Sequence, residues 1–270
     1  MHTPSASLAQ SLMWLSRRGA SPALGSGDLA ARAMVFAPHP DDEVLGCGGT
    51  VALKAASGAE LRVVVMTDGR ASHASLMDAE RLVRMRREEA VRAAPHLGLV
   101  AADYVFLDFE DHCLQAHAEA ARRRVAQLLD DFDPVQVFVP HRRDRLGDHV
   151  ATFEIVHAAL RARGRSATVF EYPVWLWHTW PWTSGKPRYG SALGSAWRAW
   201  QDAAALALGC RAHMDVHAVL HQKRAALAEY ASQVRRLEGD PKWPVLADVS
   251  GGAFLALFDT GVEVFRRSRA

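Results

Sequence analysis

The chain has 270 residues, 49% of them hydrophobic, and its 32 Lys and Arg against 30 Asp and Glu leave a formal net charge of +2. That length and apolar content allow one large domain with a substantial core, and so balanced a charge excludes an electrostatic nucleic-acid surface. The cysteines Cys47, Cys113 and Cys210 are widely spaced and form no CxxC, which excludes a disulfide framework or cysteine-rich zinc site and reads as reduced thiols in a cytoplasmic protein.

Residues 1–30 read as an N-terminal helical extension, apolar at helical spacing over 8–15 and then a Gly/Ser/Pro-containing connector. It is expected to pack outside the main fold or to contact a neighbouring subunit of a homo-oligomer. Arg17 and Arg18 follow its apolar residues, so no secretory leader is expected, and no stretch is long and apolar enough to span a bilayer. Residues 31–270 read as a single domain, with no linker that demands a second.

From residue 33 strand and helix patterns alternate. The run 33–36 (AMVF) predicts a buried strand, stopped by Pro38 and Pro40, and a GxGG segment (Gly46, Gly48, Gly49) allows close packing as the chain turns into a helix. Residues 61–67 predict a second strand ending in Asp68, Gly69 and Arg70; 78–94 predict a charged helix stopped by Pro95. A third strand over 104–107 ends in Asp108, Phe109, Glu110, Asp111 and His112, and 117–132 predict a helix. The β-branched run 135–139 predicts a fourth strand, its exit loop runs from Pro140 to His149, and a helix follows over 151–163. A fifth strand over 168–172 completes a regular βαβ alternation, which predicts an α/β fold: a Rossmann-like, doubly wound, mostly parallel sheet with helices on both faces. Beyond Pro173 come a Trp-rich loop (Trp175, Trp177, Trp180, Trp182), an Ala-rich helix over 195–208, a strand over 211–216, a helix over 217–236, and short strands over 254–258 and 262–265. The Trp-rich loop fits a core element, an oligomer contact or a roof that stacks on a sugar.

Two strand-exit loops are rich in ligands, and open α/β sheets bind at that end of their strands. The first carries His39, Asp41, Asp42 and Glu43; the fourth carries Asp148 and His149 at the start of a helix. So much negative charge beside a packed sheet calls for a positive partner, and a divalent metal is the simplest one. Two histidines and one carboxylate form a catalytic zinc set with an open position for water, and the remaining aspartate of the first loop could act as general base. Glu43 fits a structural hydrogen-bonding group better than a further ligand. His213, His217 and His221 fall at i, i+4, i+8, but without acidic partners they read as an amphipathic face.

His39-Pro40-Asp41-Asp42-Glu43 after a first strand, with Asp148-His149 after the fourth, resembles the PIG-L (LmbE-like) N-acetylglucosaminyl deacetylase family. Arg86, Glu89 and Ala90 followed by Leu97-Gly98, Phe106-Leu107 with Asp111, and Lys223, Ala226-Leu227 and Ser232-Gln233 match further motifs of that family, so the resemblance covers residues 33–233. It implies one zinc ion per chain held by His39, Asp42 and His149, with Asp41 as general base. The implied reaction is hydrolysis of the N-acetyl amide of an amino sugar or its conjugate to acetate and a free amine. Arg86 and Asp111 match positions that hold sugar hydroxyls or a phosphate, and Asp148 a position that orients a ligand or a neighbouring basic group. Relatives often carry HxDH where this chain has Leu146-Gly147-Asp148-His149. Leucine can neither steady an oxyanion nor protonate an amine, so that work falls to His141, His178, His213 or His217, or to Asp41 as both base and acid. Other readings are a zinc amidase for a lipid- or peptide-linked acyl group, and a metal- or sugar-binding relative with weak or lost turnover.

Overall fold

A computed structural model describes residues 25–178, 183 and 192–270. The helix expected over 8–15, and Trp180 and Trp182 of the Trp-rich loop, lie outside the described residues. Five parallel strands form where the apolar runs fall: β1 (Ala33–Ala37), β2 (Leu61–Thr67), β3 (Tyr104–Phe109), β4 (Gln136–Pro140) and β5 (Thr168–Tyr172). The crossover helices are α1 (Asp42–Ala56), α2 (Ala79–Ala93), α3 (Ala118–Phe132) and α4 (Gly147–Arg163). Asp78 starts α2 by accepting a hydrogen bond from the Arg81 N–H at 3.0 Å, satisfying one of the amides a helix N-terminus leaves unpaired.

After β5 come α5 (Ala192–Ala204), β6 (Ala212–Asp215), α6 (Leu220–Glu229), α7 (Ala231–Val234), α8 (Ala253–Ala256) and β7 (Val262–Arg269). The seven-stranded sheet has the order β3-β2-β1-β4-β5-β7-β6, with β7 antiparallel to both β5 and β6. The expected doubly wound, mostly parallel sheet is therefore present, with an antiparallel edge. Successive residues of β1 face opposite sides. Val35 joins a core with Val63, Val65, Phe138 and Phe170 under α1 and α6, while Met34 and Phe36 join Val64, Val137 and Val139 under α3 and α4. Both faces are covered, which is why the strands read as unbroken apolar runs.

Two expectations for the C-terminal third do not hold. Residues 254–258 are helical rather than a strand: Phe254, Leu257 and Phe258 are buried, at helical rather than alternating spacing. The helix expected over 217–236 breaks at Tyr230 (ψ 58°), separating α6 from α7. His213 therefore sits on β6 and His221 on α6, with His217 in a turn between them, so the three imidazoles share no helix face.

The strand order reverses between β1 and β4, the switch point where such sheets open a crevice. The loop into α1 leaves β1 there and the loop into α4 leaves β4 beside it. Both ligand-rich loops thus converge on one place. α1 is kinked at Cys47 (φ −148°, ψ 19°), which frees backbone groups in mid-helix. Glu263 of β7 accepts hydrogen bonds from the N–H groups of Gly49 (2.8 Å) and Thr50 (2.7 Å), and Lys223 of α6 donates to the Leu45 carbonyl (3.0 Å). Lys223 and Glu263 also pair with each other at 2.7 Å. The GxGG segment lets this helix approach its neighbours: a Cβ at Gly46 would lie 2.1 Å from the Tyr172 ring, and one at Gly49 would lie 2.6 Å from Val216.

Candidate metal centre

The site grows from the loop after β1. His39 and Asp42 are three residues apart across the entry to α1, and the Asp42 carboxylate accepts the His39 backbone N–H at 3.0 Å. Asp42 Oδ2 lies 3.1 Å from His39 Nδ1 and 3.2 Å from Nε2 of His149, which stands in the first turn of α4. One ring nitrogen from each histidine and one carboxylate oxygen therefore face a common point, and these three residues form a group able to hold a metal ion. The opposite nitrogen of each ring is turned to carboxylates. His39 Nε2 lies 3.0 Å from Asp111 Oδ1 and 3.3 Å from Asp148 Oδ2, and His149 Nδ1 lies 2.9 Å from Asp144 Oδ2. This imidazole–carboxylate support fixes ring orientation and raises ligand basicity in metal sites.

Asp144 is a supporting residue that sequence reasoning missed, as are Tyr104 and Tyr230. Asp144 is fully buried, and besides His149 it accepts hydrogen bonds from the backbone N–H groups of Val174 (3.1 Å) and Leu176. The available signal was a carboxylate five residues before His149 in the same exit loop. Asp148 is tied as firmly: its Oδ2 accepts the His112 N–H at 2.7 Å and its Oδ1 the Leu114 N–H at 3.2 Å. Asp111, besides facing His39, accepts the Ala71 N–H at 3.0 Å through its other oxygen. Asp111 and Asp148 thus stand behind His39.

Asp41, next to Asp42 in the same loop, has a different set of neighbours. Its backbone has φ 121° and ψ −26°, a region an L-residue rarely adopts. Its Oδ2 lies 3.3 Å from the guanidinium of Arg86, which also donates to the Pro40 carbonyl. Arg86 is 2% exposed, so it faces inward to the loop and not along α2 to Glu89, whose carboxylate instead accepts from the backbone N–H and the hydroxyl of Ser232, both at 2.7 Å. Glu43 is fully buried; it accepts the Asp41 N–H at 3.2 Å and the hydroxyls of Tyr104 and Tyr230. It is a hydrogen-bonding group, as the sequence suggested.

Burial pushes the Asp41 carboxyl up to about 8; the Arg86 charge opposes this and the Asp42 charge adds to it. Burial pushes Asp42 the same way, but His149 and His39 outweigh it and hold that carboxyl well below its usual range. Burial would lower His149, yet the charge of Asp42 and the hydrogen bond it donates to Asp144 carry it up to about 9, and His39 is raised by Asp111, Asp148 and Asp42 against its own burial. Adjacent aspartates of one loop are thus driven in opposite directions, the pattern by which acid–base roles separate in a site.

The donor set fits a divalent ion on the structure itself. His149 Nε2 is buried and, although Asp42 Oδ2 lies 3.2 Å away, makes no well-directed hydrogen bond while the ring is anchored on its other side, and imidazole and carboxylate are the ligands zinc takes in catalytic sites. Leu146, 36% exposed, precedes the first residue of α4 at the rim. Of the imidazoles considered in its place, His141 is buried with Nδ1 accepting the Arg143 N–H at 3.1 Å, and His217 pairs with Asp215 at 2.9 Å. His178 packs edge-on to Trp175 and Phe254, while Trp177 is buried in the core. The described part of the Trp-rich loop is thus a packing element.

Residues 34–160 match the PIG-L family, described as GlcNAc-PI de-N-acetylase. The uncharacterized deacetylase YaiS of Escherichia coli (strain K12) is 28% identical over 141 residues, which are 51% of this chain and 72% of that protein. The N,N'-diacetylchitobiose deacetylase of Pyrococcus horikoshii superposes with a TM-score of 0.59 at 19% identity, covering 99% of this chain and 94% of that one. GalB, the 4-carboxy-2-hydroxymuconate hydratase of Pseudomonas putida KT2440, superposes with a TM-score of 0.57 at 18% identity, covering 88% and 96%. At these identities the structural likeness is one of fold, and this fold carries both a deacetylase and a hydratase, so the reaction has to be argued from the site. Residues 34–160, which carry both ligand-rich loops, are thus similar to the PIG-L family, and the chain resembles its deacetylases over that stretch.

Proposed function

We propose that this protein is a zinc-dependent N-deacetylase that hydrolyses the N-acetyl amide of an amino sugar or its conjugate to acetate and a free amine. The observation that carries this reading is the convergence of His39 Nδ1, Asp42 Oδ2 and His149 Nε2 beside a second, separately held carboxylate, Asp41. His39, Asp42 and His149 would hold the ion. When bound, a divalent cation supplies Lewis acidity there, lowering the pKa of water toward neutrality and polarising an acyl carbonyl. Several first-row metals suit this donor set, and zinc is the one its geometry and ligand types favour.

Asp41 takes the proton of the attacking water. Burial gives its carboxyl an affinity for protons near neutral pH, which suits a group that must both accept a proton and release it. With leucine at position 146 and His141 turned into the protein, Asp41 is also the group placed to return the proton to the departing amine. Arg86 holds Asp41 in position from the side and through the Pro40 carbonyl. Asp111, Asp148 and Asp144 act behind the two imidazoles. This assigns Asp111 and Arg86 to positioning, in place of the sugar contacts that the family motifs imply. Asp68 keeps the half-exposed Arg70 guanidinium at the rim, 2.7 Å away.

The test is acetate release from a panel of N-acetylhexosamine glycosides, N,N'-diacetylchitobiose and nucleotide sugars, with N-acyl peptides and N-acyl lipids beside them. Turnover confined to the amino sugars, and lost in Asp41→Asn, is the expected result. Turnover confined to the peptides or lipids would replace the sugar by another acylamide. Bound metal with no turnover on any member would point to the binding relative.

A further inference from the structure

Asp41 adopts a backbone conformation that is strained for an L-residue and persists only where its surroundings hold it. What holds it is visible. The Asp41 N–H donates to Glu43 Oε2 at 3.2 Å, so the side chain reaches back over two residues to grip the peptide ahead of Asp41. Glu43 is itself fixed from two distant parts of the chain: the Tyr104 hydroxyl at the start of β3 donates to Oε1 at 3.2 Å, and the Tyr230 hydroxyl donates to the same oxygen. Tyr230 sits at the break between α6 and α7, the feature that interrupts the expected late helix. All three groups are buried, Glu43 and Tyr230 completely. On the other side Arg86 holds the Pro40 carbonyl and the Asp41 carboxylate.

We propose that Glu43, clamped by Tyr104 and Tyr230, is a positioning residue that keeps the strained Asp41 peptide in the conformation that aims its carboxylate at the metal centre. The inference rests on the reading of Asp41 as the base. It gives the break at Tyr230, which lies outside residues 34–160, a function in the site: the C-terminal helices reach the catalytic loop through one hydroxyl. It also separates Glu43 from the ligand set, since the carboxylate contacts the Asp41 backbone and not the imidazoles.

The test compares zinc-loaded wild type with E43A, E43Q, Y230F and D41N by crystallography, zinc content and acetate release from N,N'-diacetylchitobiose. In E43A the Asp41 peptide should relax to negative φ and the carboxylate should leave Arg86, with zinc retained. Glutamine keeps an acceptor oxygen for the Asp41 N–H, so E43Q should retain the wild-type peptide. Y230F should keep zinc and KM but lose kcat several-fold, because one of the two hydroxyls that hold the clamp is gone. An Asp41 peptide and Arg86 contact unchanged in E43A, or loss of zinc together with the loop, would overturn the proposal whatever the kinetics. If E43A does not fold, wild-type kcat in Y230F would overturn it. A relaxed Asp41 peptide in E43A with full activity in D41N would leave the clamp standing and remove the base reading instead.

Discussion

At the scale of single residues, the site depends on side chains that touch neither solvent nor substrate. Asp144 shows this most clearly. Its carboxylate fixes His149 through Nδ1 while accepting backbone N–H groups from the segment after β5, and so sets where Nε2 points. Asp144→Asn should therefore lower zinc affinity roughly 10–100-fold with little loss of fold, read by competition against a chelator. Unchanged affinity would show that His149 needs no such support. His141 gives a second residue-scale prediction. Burial lowers its imidazole to about 4, opposed by the Glu171 and Asp144 charges, and Nδ1 accepts a backbone N–H, so it is neutral in the fold. The unfolded chain takes up this proton first as pH falls, with an ordinary pKa near 6.5. The folded-state value is depressed, so the stability His141 contributes is present above about pH 6.5 and lost as pH falls toward 4. Replacing it in His141→Gln should flatten the loss across that window by up to roughly 3 kcal/mol, read from urea midpoints at several pH values. Parallel curves for the two proteins would contradict this.

At the scale of elements, the kinked first helix is the part on which the rest is fitted. An unbroken helix would pair the Gly49 N–H with the Leu45 carbonyl; here Glu263 takes the first and Lys223 the second. The buried pair thus replaces lost helical hydrogen bonds as well as attracting its partner. Glu263→Ala leaves two backbone N–H groups without an acceptor and the buried Lys223 ammonium with the Leu45 carbonyl but no counter-charge, and should cost about 3–5 kcal/mol by chemical denaturation. Lys223→Met should cost less, because Glu263 keeps its bonds to Gly49, Thr50 and the Thr50 hydroxyl. Equal losses would mean that the ion pair, not the kink, carries the effect. Much of this level was legible in the sequence. The five apolar runs, the prolines after β1 and the GxGG segment marked the strands and the close approach of α1, since each is a local property of the chain. The C-terminal third was less legible for a physical reason. Residues 254–258 are an apolar run too short to reveal its period, and the break at Tyr230 comes with a hydrogen bond to a distant partner, Glu43, that no local pattern announces.

At the scale of the whole molecule, the sheet order brings together residues far apart in sequence. His39 and His149 meet because β1 and β4 are neighbours at the switch point; Asp111 joins them from the exit of β3. The first two were legible from strand-end position and residue type. Asp144, Tyr104 and Tyr230 were not, because a supporting hydrogen bond has no spacing rule of its own. No helix among the described residues is long and apolar enough to cross a membrane. Since the proposed metal ties the loops after β1 and β4 together, stripping it should lower the melting temperature and restoring it should return the loss, with a shift that grows with free zinc. A melting temperature insensitive to chelation would place any bound metal elsewhere.

The metal centre is tested most directly by zinc content and acetate release measured on the same preparations of wild type, Asp41→Asn and His149→Gln. Wild type should hold about one zinc per chain and release acetate, Asp41→Asn should keep the zinc and lose turnover by roughly 100-fold or more, and His149→Gln should lose both. Zinc retained at full stoichiometry in His149→Gln, or a wild type that binds no metal under conditions where it turns over, would contradict the assignment of this site.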